Sequence, residues 1–210
     1  MCRHGRPDTI QNPHSEPASN ILILLVTRAD VEANETAAYT VLSDPELGGH
    51  KAVNGPHSRF SNFRVPATNL LAEPGEGAQP VEQTFTTSAA LVGAMSVGIM
   101  RRAFEEALAF CKTETRGGRS TILGHQSVAD RFVDAKMKIE AARALTWKAV
   151  AVLEIKEESV GWEQKMEIAI EAKVWCSEVA TEVVLACMGV VGMYVFSLFL
   201  SFRSLAFFSV

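Results

Sequence analysis

Apolar positions recur with helical spacing over the second half of the chain. Between residues 125 and 156, Val128, Phe132, Ala135, Ile139, Ala142, Thr146, Ala149 and Leu153 alternate steps of four and three, which keeps them on one face of a helix. A second stripe, Ala169, Ala172, Cys176, Val179, Val183 and Ala186, predicts a helix over 162–188. An earlier helix is predicted over 81–113. There Ala90, Ala94 and Gly98, and beside them Ala89, Gly93 and Val97, form rows with little side-chain volume, suited to the close approach of another backbone or a flat ligand. Short connections make the three helices antiparallel neighbours in an up-down bundle.

The first third of the chain has a different pattern. Ile21–Val26 is a continuous apolar run, expected as a strand buried on both faces. Tyr39–Leu42 and Arg59–Val65 are further strand candidates, set off by the turn signals Gly48-Gly49 and Asn54-Gly55-Pro56. The Pro/Gly stretch 72–79 marks the expected domain boundary. The chain therefore divides into an irregular segment over 1–19, a small β region over 20–72, a helical bundle over 73–193 and an apolar tail over 194–210.

Composition narrows the function classes. With 210 residues, 48% of them hydrophobic, the chain can bury a real core, and a formal net charge of -4 offers no basic field for nucleic acid. Residues 1–19 lack both the charged start and the apolar segment of a secretory signal. Cys2, Cys111, Cys176 and Cys187 are widely spaced and read as reduced thiols, which favours an intracellular compartment, cytoplasm or organellar matrix. His4 and His14 have no cysteine or carboxylate at ligand spacing, so no metal site is expected. The pairs Arg101/Glu105 and Arg102/Glu106 stand at i,i+4 and read as a solvated face.

Chemistry concentrates in the polar stretch between the first two helices, 115–126. Arg116 offers a planar fork that fits a diphosphate or carboxylate, and Gly117-Gly118 lets backbone approach a ligand. The same residues equally suit a helix end, with glycine as C-cap and Arg116 neutralising the dipole of its own helix. His125 and Gln126 open the second helix, where amide donors face a phosphate well, or are ordinary helix-start residues. Ser88, after Thr86-Thr87, reads as a capping residue.

Several separated motifs together carry a resemblance. Ser88–Met95, Arg101–Leu108, Thr115-Arg116-Gly117-Gly118 and His125-Gln126-Ser127-Val128-Ala129-Asp130 resemble the C-terminal helical domain of the acyl-CoA dehydrogenase superfamily, with wording nearest its nitroalkane oxidase branch. Phe63–Pro66 with Asn69-Leu70-Leu71 is similar to the exit segment of that superfamily's middle β domain. The resemblance covers about residues 20–193 and implies a mainly α fold, an antiparallel bundle preceded by a partial β-barrel-like domain. It further implies FAD as cofactor, a homo-oligomer (a tetramer in the family) and a nitroalkane or acyl-CoA-like small-molecule substrate. In such enzymes a carboxylate removes a proton beside the activating group and electrons pass to the flavin. By the same resemblance Arg116, His125, Gln126 and the glycines Gly189 and Gly192 contact FAD, and Ser88 lies beside the flavin.

The likeness is expected to end at Tyr194, and no residue matches the proton-abstracting carboxylate. The strands that should precede Ile21 are also missing, so the chain is expected to be a partial copy without activity of its own. Two other readings stay open: a non-catalytic helical interaction protein, and a tail-anchored membrane protein, since Val183–Phe202 is uncharged and apolar over about a bilayer-spanning length.

Overall fold

The computed structural model describes residues 21–45, 55–156 and 159–192. The segment 1–19 with His4, His14 and Cys2, the Gly48-Gly49 turn and the tail 194–210 lie outside the described residues. Contacts divide the chain into two units, one up to Glu82 and one from Gln83.

The first unit holds β1 (Ile23–Leu24), α1 (Arg28–Ala33), β2 (Tyr39–Ser43), β3 (His57–Phe60) and β4 (Leu70–Ala72). β1 pairs antiparallel with β4, and β2 with β3, as two separate ladders. The expected strand over Ile21–Val26 shrinks to two residues, and Leu24, Leu25 and Val26 are exposed rather than buried on both faces. The physical reason is that no second layer covers this ladder among the described residues of the unit. The third candidate starts earlier and is shorter than Arg59–Val65, because Tyr39 pairs with Phe60 and the ladder ends there.

Polar anchoring, not apolar burial, organises this unit. Thr27 caps α1 in a reciprocal box with Asp30: the Asp30 amide donates to Thr27 Oγ1 at 3.3 Å and the Thr27 amide to Asp30 Oδ2 at 2.7 Å, with the Thr27 hydroxyl 2.6 Å from the same carboxylate oxygen. Asn69 Nδ2 adds a bond to Asp30 Oδ2 at 2.9 Å across 39 positions of chain. The Thr27 hydroxyl, the Thr27 amide and Asn69 hold the Asp30 carboxyl below the usual aspartate range. A carboxyl lowered by folding stabilises above the unfolded value near about 4, and that contribution is lost as pH falls through the lowered value. We therefore expect the protection of the Thr27 and Asp30 amides, exchange measured against the intrinsic rate at each pH, to fall on acidification below about pH 4, and to lose that pH dependence in Asp30→Asn. Protection that stays constant through that range in the unsubstituted chain would rule this out.

The second unit contains most of α2 (Ala78–Thr113), and all of α3 (Gln126–Glu154) and α4 (Trp162–Val191), the antiparallel bundle that the periodicity predicts. α2 begins three residues before Val81 because Pro80 falls in its first turn, where a missing amide proton costs nothing. The predicted stripe of α3 faces inward: Phe132, Ala135, Ile139, Ala142, Thr146 and Ala149 are all buried. On α4, Ala169, Ala172, Cys176, Val179 and Val183 are buried, Ala186 is half-buried, and Cys187, Val190 and Val191 continue the face.

Small residues let α3 and α4 approach closely. The Thr146 hydroxyl donates to Ala142 O at 2.9 Å, and the Cys176 thiol reaches the same carbonyl at 3.5 Å. α2 seats on this pair through larger side chains: Met100 is fully buried, and Phe104 meets Phe132 edge-on with centroids 5.5 Å apart. Of the two small-residue rows on α2, Ala89 and Gly93 are buried, and a Cβ on Gly93 would lie 3.0 Å from Thr146 Oγ1. In the other row Ala90 is buried against Ala149, Ile168 and Ala172, while Ala94 and Gly98 are exposed and nothing stands near Gly98, so only the start of that row packs within the chain.

Charges follow the expected pattern. Arg101–Glu105 at 3.2 Å and Arg102–Glu106 at 2.7 Å are exposed i,i+4 pairs. α4 is long and apolar enough to cross a membrane by length and composition, while Ala169, Ala172 and Cys176 with no exposed surface fit a core helix.

Candidate functional site

Two helix ends meet at one side of the bundle. After α2, the Thr115 carbonyl accepts the Gly118 amide at 2.9 Å, closing a tight turn whose central residues, Arg116 (φ 51°) and Gly117 (φ 76°), both have positive φ. Two positive φ values in succession are the pattern of a type I′ turn, which glycine fills readily and arginine only against steric resistance. The turn is held at its base: the Glu114 carboxylate accepts the Arg116 amide at 2.7 Å, and the Glu114 carbonyl accepts the Ile122 amide at 2.9 Å.

From this turn the Arg116 guanidinium reaches α4, where Nη2 donates to the Val191 carbonyl. The next residue, Gly192, ends α4 with φ 66° and ψ -142°, a backbone conformation open only to glycine. A Cβ there would lie 3.1 Å from Arg116 Nη2. Glycine at 192 thus serves both the helix end and the closeness of the guanidinium. Of the two readings of Arg116, the helix-end one named its own helix; the structure places its guanidinium at the C-terminus of α4, and its charge is also felt by Cys111 of α2.

Other expected residues take different places. His125 precedes α3 as its N-cap without a side-chain cap bond, and Gln126 Nε2 donates to Asp130 Oδ1 at 2.7 Å; both are exposed. No bond of theirs to Arg116 or Gly192 is present among the described residues. Gly189 is not in a turn but inside the last turns of α4, and a Cβ on it would lie 3.5 Å from Arg131 Nη1. Ser88 is not a cap either, since α2 starts ten positions earlier; its hydroxyl donates to Phe85 O at 3.0 Å.

Burial pushes the Cys187 thiol up to about 11, with Cys111 adding to the rise, and burial likewise raises Cys111 against the opposing Arg116 charge. Both thiols are therefore protonated at neutral pH and serve packing, not nucleophilic chemistry. Among the described residues no cluster of ligating side chains could hold a metal.

Sequence reasoning missed Glu114 and Arg131. For Glu114 one signal existed: a carboxylate just past a helix C-terminus opposes the dipole and calls for a specific partner. Arg131 offered none, because its nearness to Gly189 depends on how α3 and α4 pack.

An acyl-CoA dehydrogenase C-terminal domain model matches residues 75–206, well over half of the chain. The chain belongs to the acyl-CoA dehydrogenase family. The match runs past Tyr194, where the sequence reading ended the likeness. Among curated relatives, a nitroalkane oxidase of Fusarium oxysporum is 48% identical over 207 residues, covering 98% of this chain and 47% of its own length. Two solved structures are similar. One comes from work on the roles of an arginine and an aspartate in the reaction of the flavoprotein nitroalkane oxidase; its TM-score is 0.83 at 49% identity, over 89% of this chain and 43% of that one. The other is a nitroalkane oxidase with an active-site serine-to-alanine substitution, crystallised with 1-nitrohexane; its TM-score is 0.84 at 46% identity, over 89% of this chain and 43% of that one. The chain thus spans just under half the length of these relatives.

Proposed function

We propose that this member of the acyl-CoA dehydrogenase family supplies part of the FAD site of an oxidoreductase acting on a nitroalkane or acyl-CoA-like small molecule. The observation that carries the reading is the convergence of the Arg116 guanidinium with the Gly192 backbone, next to the open, positive-φ Gly117. Such a place fits a diphosphate: a permanently charged fork with five donors stands beside backbone that has no Cβ to block approach. A guanidinium can keep its bond to Val191 and still take a charged partner.

Arg116, Gly192 and Gly189 would hold the diphosphate side, and His125 and Gln126 would present the start of α3 to the same cofactor. Ser88 would stand beside the flavin; an active-site serine is named for one of the relatives. FAD, when bound, supplies the electron sink for oxidation at a carbon activated by a nitro or thioester group. The chain's own part in that chemistry is to bind and orient. The carboxylate that takes the proton is not assigned to any residue of this chain.

Titrating purified protein with FAD and FMN tests the reading. FMN lacks the diphosphate-linked adenylate, so FAD is expected to bind at least about tenfold more tightly, a difference of about 1.4 kcal/mol. Equal affinity for the two flavins, or none for either, would remove the assignment.

Self-association is part of the proposal. Phe85, Leu91, Met95 and Ile99 on α2 are 70%, 60%, 42% and 56% exposed, and the exposed Ala94 and Gly98 beside them let a second copy approach closely. Light scattering is expected to show an oligomer that Met95→Glu with Ile99→Glu breaks into smaller species. A monodisperse monomer in the unsubstituted chain is the contrary result. The three thiols among the described residues are free and buried, which supports an intracellular setting.

A further inference from the structure

We infer that Glu114 is the positioning residue that sets Arg116 for the cofactor, an inference that rests on the FAD reading above. Glu114 is half-buried while residues 115–120 are exposed, and it touches three parts of the connection at once. Its amide donates to Phe110 O at 3.0 Å, continuing the end of α2. Its carbonyl accepts from Ile122, which packs against the bundle core and brings the connection back. Its carboxylate takes the amide of Arg116 at 2.7 Å.

The third contact has a directional consequence. At φ 51° an arginine is held against the steric preference of L-residues. In that conformation the guanidinium reaches Val191 and Gly192. Gly117 imposes nothing, since glycine adopts either sign of φ. The bond between carboxylate and amide fixes the 115–116 peptide on which the turn is built, and the Thr115 carbonyl–Gly118 amide bond closes that turn with Arg116 in the left-handed state. Relaxation to negative φ would turn the side chain away while leaving the three helices as they are. The position of Glu114 agrees with this, because a carboxylate at a helix C-terminus is opposed by the dipole and is retained for its specific bond.

The test compares Glu114→Ala with Glu114→Gln, whose amide oxygen keeps the acceptor. The first readout needs no flavin: water exchange of the Arg116 Nη2 protons, which donate to Val191 O, in selectively labelled protein. Exchange is expected to be slow in the unsubstituted chain, at least about tenfold faster in Glu114→Ala, the scale of one lost hydrogen bond, and slow again in Glu114→Gln. Unchanged exchange in Glu114→Ala, with circular dichroism showing the helices intact, overturns the positioning role. So does failure of Glu114→Gln to restore it. The second readout is FAD affinity, expected to fall about tenfold in Glu114→Ala and to return within about threefold in Glu114→Gln. Faster Arg116 exchange with undiminished FAD affinity would uphold the positioning and overturn the placing of FAD at this arginine, so the two failures are separable.

Discussion

Arg116→Ala is expected to weaken FAD binding about ten- to a hundredfold. The substitution deletes a charge-assisted contact to the diphosphate, worth about 1.5 to 3 kcal/mol, which converts to that range of affinity. It also deletes the bond to the Val191 carbonyl, which should lower stability by about 1 kcal/mol. Arg116→Gly separates the two effects. Glycine occupies positive φ without the roughly 1 to 2 kcal/mol that a side chain costs there, so this variant should lose the same affinity while recovering stability. Arg116→Lys keeps the charge but not the fork and should fall between. Flavin titration and thermal denaturation of the three variants check the pattern. Undiminished affinity in Arg116→Ala would leave the residue a helix-end charge only.

Met100→Ala is expected to cost about 2 to 5 kcal/mol of stability. Met100 is fully buried in the cluster that also contains Ile139, Cys176 and Val183. α3 and α4 meet through alanines and need little volume, whereas α2 depends on Met100 and Phe104 to fill the larger space between it and that pair. A truncated side chain there leaves a cavity that neither neighbouring helix can collapse into without losing its own close approach. Val133→Ala, at a position 60% exposed on α3, should stay within about 0.5 kcal/mol of the unsubstituted chain. Urea denaturation with an unchanged slope and a lowered midpoint for Met100→Ala alone would bear this out. Equal midpoints for the two variants would show that α2 is not seated by Met100.

Helix existence and facing were legible in the sequence because they depend on local spacing. The eight positions from Val128 to Leu153 report one face of one helix whatever it packs against, and all of them came out buried or half-buried. Helix bounds shifted by at most three residues, the largest shifts being the start of α2, where Pro80 reads as a breaker but sits in a tolerant first turn, and the end of α4, which runs on to Val191. The family motifs were legible for the same reason: each is a short contiguous string. The small β unit was less so, since the two-residue pairing of β1 with β4 depends on contacts about fifty positions apart, and Thr27–Asp30 read as polar chain although it caps a helix.

The site's geometry came from tertiary structure. Two equivalent small-residue rows stood on α2, and only the rotation of that helix against α3 and α4 buried Ala89, Ala90 and Gly93 and left Ala94 and Gly98 outside. Gly189 and Gly192 looked alike three residues apart, yet one is helical and the other alone has the backbone that ends α4. Arg116 reaches the carbonyl of Val191, 75 positions away. Local pattern sets which residues are available, but a long, charged side chain reaches whatever acceptor folding brings near, and that acceptor is chosen by how the helices pack.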